Sequence, residues 1–132
     1  RRYVIMVLQN IYLDVWDWYL RVFYDVDDLN EAVSELESVG CPEDLIYCVK
    51  ERLKCRNTGF TYSDIKHRFS IIIISKTSGS SEFYNTLDHE KLHVLLHISE
   101  ACNINLDSEE FEYLSGEIAE RLYPVSKQFI CN

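Results

Sequence analysis

The sequence predicts an α+β domain, and three observations carry that prediction. Residues 16–26 are dense in aromatic and β-branched side chains, and Trp16, Trp18, Leu20, Val22 and Tyr24 alternate with the rest as a half-buried strand does. Residues 69–75 (FSIIIIS) form a continuous apolar run of strand length, which reads as a strand buried on both faces. Each run precedes two stretches with apolar residues at helical spacing. The order strand, helix, helix, strand, helix, helix suits a short β-sheet packed on about four helices, with the sheet on one side of the helical layer.

Each element has local reasons. Residues 3–14 are mostly apolar and strand-like. The run after Arg1 and Arg2 is broken by Gln9 and Asn10, and no small-residue cleavage site follows, so it is not read as a signal peptide. Asp28 and Glu31 have capping-box spacing before the helical stripe Leu29, Ala32, Val33 and Leu36, and Gly40 closes that helix. Pro42 opens a second helix with the stripe Leu45, Ile46, Val49 and Leu53. Residues 57–64 are expected as a loop or short extended piece. A third helix over about 81–101 is apolar almost all round and is expected to be central and buried. The fourth runs from Glu109 to about Tyr123, where Pro124 should stop it.

With 132 residues, 47% of them apolar, the chain is read as a single domain over 1–132. Residues 1–68 form its strand-helix-helix part, 69–123 a strand plus a metal-binding helix pair, and 124–132 a tail. Thirteen basic against 22 acidic residues give a net charge of −9, the wrong sign for phosphate-driven nucleic-acid binding, and no partner of that kind is expected. No run of 18 apolar residues occurs, so no membrane span is expected. The five cysteines are odd in number and lack a CxxC pair. They are read as small, reduced core residues of a cytoplasmic protein.

The chemistry concentrates in DHEKLHVLLH, residues 88–97, which holds a complete HExxH. Residues four apart share a helix face, so His89 and His93 can turn two imidazoles to one ion. Glu90 lies about 100° away and can reach a metal-bound water as general base. His97 is two turns from His89, about 12 Å along the axis, too far to share that ion, and is read as a supporting or packing residue. A third ligand is sought on the next helix, in SEEFEYL. Glu110 falls on the stripe of Leu114 and Ile118 and is the first candidate, and Glu109 the second. The competing reading makes Asp107 the N-cap and Glu110 its capping-box partner. Tyr84 and Tyr113 are candidate hydrogen-bond donors to an oxyanion.

This stretch resembles the active-site helix of zincin metallopeptidases of the gluzincin kind, and most of all the ImmA/IrrE-type peptidases. It is also similar to phage and mobile-element proteins that pair an HExxH helix with a Glu-Glu helix. The resemblance covers residues 69–123. It implies a small zincin-like domain that binds zinc through His89, His93 and Glu110, uses Glu90 as the base, and hydrolyses a peptide or protein substrate. The other reading is a zinc-stabilised structural or interaction domain without catalysis.

Overall fold

The structure, a computed structural model, describes residues 7–130. It is mixed α and β, with four strands and four helices. In chain order they are β1 (Val7–Leu13), β2 (Trp18–Val26), α1 (Leu29–Ser38), α2 (Glu43–Arg52), β3 (Gly59–Asp64), β4 (Phe69–Ser75), α3 (Ser80–Ala101) and α4 (Glu109–Ile130). The strands form one sheet in the order β1-β2-β4-β3. β2 and β4 run parallel at its centre, and β1 and β3 flank them antiparallel.

The sheet does not sit on one side of a helical layer, as expected. It has helices on both faces, and β4 shows why. Successive side chains of a strand point to opposite faces. Ile72 and Ile74 therefore join Trp18, Leu20, Val22 and Tyr24 in a core with Val94, Ile98, Leu114 and Ile118 of α3 and α4. Ile71 and Ile73 join Phe23 and Val26 in a second core with Ala32, Leu36, Ile46 and Val49 of α1 and α2. All four isoleucines are buried.

The helix starts follow the sequence in part. Asp28 caps α1, its carboxylate accepting from Asn30 N, and Gly40 takes φ +82° just beyond the C-terminus. For α4 the cap is Ser108 and not Asp107, because Ser108 Oγ accepts from Phe111 N at 3.2 Å. Pro124 does not stop α4. The helix continues to Ile130 because its last turns have partners in the core: Phe129 lies 5.5 Å from the Tyr24 ring and 5.0 Å from Phe83, centroid to centroid.

Of the segment 57–64, expected as a loop or short extended piece, Gly59–Asp64 is extended and forms β3, an edge of the sheet. The cysteines depart from expectation. Cys41 is buried, but Cys48 and Cys55 are exposed, and Cys131 lies outside the described residues. Among the described residues no helix is long and apolar enough to cross a membrane.

Candidate functional site

α3 lies along β3, and the contact is made by one stripe of the helix. Thr86 Oγ1 donates to Asn57 O, Glu90 accepts from Thr61, and His97 meets Ser63. These positions are four and then seven residues apart, one and two helical turns, so they share a face. His89 and His93 sit beside that face, turned toward solvent. The helix is thus less central than its apolar content suggested: Leu92, Leu96 and Tyr84 are exposed as well.

The two HExxH histidines meet. His93 Nε2 stands 3.3 Å from His89 Nε2, with ring centroids 4.9 Å apart and the planes nearly perpendicular. Two metal–nitrogen bonds of about 2.0–2.1 Å at the tetrahedral angle place their nitrogens about 3.3–3.4 Å apart. The spacing therefore fits a shared zinc ion. It equally suits one imidazole N–H donating to the other ring.

Glu90 is buried, with 2% of its surface exposed. A carboxylate in that position needs a partner. Thr61 Oγ1 supplies one, donating to Glu90 Oε1 at 2.8 Å. Gly59 forms the floor beneath it, since a Cβ there would stand 2.7 Å from Glu90 Cγ. Glu90 and His89 line one small cleft of about 210 Å³ with Asn85, Arg52, Asn57 and Gly59.

His97 stands further along the stripe, its ring 6.2 Å from that of His93. Its Nδ1 is 2.6 Å from Ser63 Oγ. Burial, and then the neighbouring His93, hold this imidazole below its ordinary pKa, against a weaker upward pull from Glu100.

The expected third ligand is not brought to the pair. Glu110 and Glu109 are exposed on the first turn of α4, and not on its buried side as the stripe suggested; there Leu114, Ile118 and Leu122 point inward. α4 meets α3 where Leu87 and Lys91 share a groove with Ala119, Leu122 and Tyr123. Leu87 and Lys91 are each two positions from His89, about 200° around the helix. α4 therefore lies across α3 from the histidines. From Ala119 back to Glu110 is a further 13 Å or about that along α4. Tyr113 and Tyr84 are exposed, and neither lines the His89–Glu90 cleft. Among the described residues no group of three His, Cys, Asp or Glu side chains is placed to hold a metal ion.

Sequence reasoning missed Gly59, Thr61 and Ser63. The signal was present in GFTYSD: Phe60 and Tyr62 alternate with Thr61 and Ser63, the period of a strand with one polar face. No protein-family model matches the chain, and neither a curated protein nor a solved structure does.

Proposed function

We propose that this chain is a zinc-dependent peptidase whose reaction centre is the His89–His93 pair and Glu90. One observation carries the reading: two imidazole nitrogens stand at the spacing of a tetrahedral ion, and one of the two rings, His89, lines the same cleft as the buried carboxylate of Glu90. His89 and His93 would hold the ion. When bound, zinc lowers the pKa of a water and polarises a carbonyl. The chain's own contribution is to aim the base. Thr61 holds Glu90 Oε1, so Oε2, which has no hydrogen-bond partner among the described residues, would be the atom to take a proton from an attacking water and return it to the leaving amine.

An extended peptide has a place to bind beside these residues. Among the described residues β3 pairs only with β4, so no described strand covers its other edge, and α3 with its histidines packs on the same strand. The opposite edge is treated differently. At β1, Arg121 of α4 donates to the Tyr12 carbonyl at 2.9 Å, and Gln9 donates back to Arg121 O at 2.8 Å. Strand addition at β3 would give a substrate main-chain hydrogen bonds next to Glu90.

The non-catalytic alternative, in which zinc ties two helices together, has less support. Both histidines belong to α3 and are exposed, whereas a structural zinc is closed by four ligands. What the pair lacks for a three-ligand catalytic site is its third protein ligand. With α4 as it stands, His89 and His93 are the described residues that would hold the ion.

The test is a screen of the zinc-loaded chain against a peptide library with Glu90→Gln as control. Gln keeps the shape and hydrogen-bonds water but cannot accept its proton, so a rate about 10²–10⁴-fold lower is expected. Equal activity in both proteins, or none in the wild type, defeats the peptidase reading.

A further inference from the structure

Behind the histidine stripe runs a chain of four side chains. Trp18 Nε1 lies 2.9 Å from Ser70 Oγ, Ser70 Oγ lies 2.7 Å from Ser63 Oγ, and Ser63 Oγ lies 2.6 Å from His97 Nδ1. The backbone makes it possible. Ser63 and Ser70 are direct cross-strand partners in the β3–β4 ladder, so their hydroxyls meet on the α3 face of the sheet.

The direction of the chain follows from its buried end. An indole N–H can only donate, so Ser70 Oγ accepts from Trp18. Trp18 is fully buried and Ser70 nearly so. Ser70 has one hydrogen of its own and, among the described residues, one other partner, Ser63. If Ser70 donates to Ser63, then Ser63 donates to His97 Nδ1, and every hydrogen is used. If His97 Nδ1 carried the hydrogen, Ser63 Oγ would accept from both His97 and Ser70, and the Ser63 hydrogen would have no acceptor among the described residues. Leaving the hydrogen of this half-buried hydroxyl without a protein acceptor disfavours the second arrangement.

We propose that His97 is a fixed hydrogen-bond donor through Nε2–H, locked in that tautomer by the Trp18–Ser70–Ser63 chain, and that it takes a carbonyl oxygen of a peptide lying along β3. Nε2 has no partner among the described residues and is not sealed from solvent, since the one buried, unpartnered side-chain atom among them is Trp16 Nε1. With its hydrogen on Nε2, His97 presents a donor and no free lone pair next to His93. It complements the metal pair without joining it. Trp18, Ser70 and Ser63 are positioning residues that act through it. The identity of the acceptor rests on the peptidase reading. The tautomer does not.

Long-range proton–nitrogen correlation spectra of the full chain with ¹⁵N-labelled histidine read this directly, with the His97 signals assigned by their loss in His97→Gln. The expected wild-type result is one neutral tautomer with hydrogen on Nε2 and an accepting Nδ1. Ser63→Ala should bring the second tautomer into the His97 signals. On adding zinc chloride, His89 and His93 should change at their ligating nitrogens while His97 keeps its Nε2–H. Hydrogen on Nδ1 in the wild type, unchanged signals in Ser63→Ala, or loss of the His97 Nε2–H with zinc would each overturn the proposal. The wild-type spectrum decides the tautomer even if Ser63→Ala fails to fold. If no histidine responds to zinc, the metal reading fails and the donor assignment still stands on the tautomer.

Discussion

Glu90 rests on Gly59 so closely that a methyl group added there would stand 2.7 Å from its Cγ and 3.0 Å from its Oε2. Gly59 is the first residue of β3, and its ladder partner is Ile74 in the fully buried centre of the sheet. The strand cannot retreat, so the burden falls on the carboxylate. Gly59→Ala should therefore destabilise the fold by about 1–3 kcal/mol, the usual cost of overpacking. It should also lower any hydrolytic rate by turning Glu90 out of the cleft. Urea denaturation checks the first effect. Unchanged stability together with unchanged activity would mean that Glu90 is not held by this contact.

Thr61 is the other half of that arrangement. Thr61→Val keeps the shape of the side chain but removes the hydroxyl that donates to Glu90 Oε1. A hydrogen bond to a charged group contributes about 1.5–3 kcal/mol, and a loss of that order is expected. In a Glu90→Gln background the same substitution should cost less, because a neutral amide tolerates the missing donor better. A double-mutant cycle by denaturation measures the difference. Additive effects would show that the two side chains are not coupled.

Phe129→Ala tests the path of α4 beyond Pro124. The ring packs on Tyr24 and Phe83 but is half-buried, so a loss of about 2–4 kcal/mol is expected. A chain whose last residues were a loose tail would lose almost nothing.

Glu110→Gln bears on the third ligand. With Glu110 exposed on the far side of α3, zinc affinity should stay within about threefold of wild type, whereas His89→Ala should lose at least 100-fold, as expected for a direct ligand. Isothermal titration of both variants decides the point. A Glu110→Gln loss as large as that of His89→Ala would show that the first turn of α4 reaches the histidines once the ion is bound.

Much of this arrangement was legible in the residues. The run of isoleucines in β4 announced a strand buried on both faces, whereas the one-sided layering drawn from the order of elements was wrong, because that order does not say on which face each helix pair packs. The spacing of His89 and His93 placed two imidazoles together, and they meet at 3.3 Å. Three things were not legible, each for a physical reason. β3 is mostly half-buried on both faces and opens on a Gly, so its alternation left a loop and a short extended piece equally open. Pro124 does break a helix locally, but aromatic packing further along outweighs it. Glu110 fits the inner stripe by periodicity, yet it sits in the first turn, where α4 has not yet reached the core, and a stripe carries no information on where a helix begins to be covered.

Zinc uptake tests the central claim most directly. The purified chain is stripped with a chelator, dialysed against zinc and assayed by elemental analysis, beside His89→Ala, His93→Ala and Glu90→Gln. The expected result is about one zinc per wild-type chain, the same for Glu90→Gln, and none retained by either histidine variant. A wild-type chain that takes up no zinc, or histidine variants that keep it in full, would contradict the account.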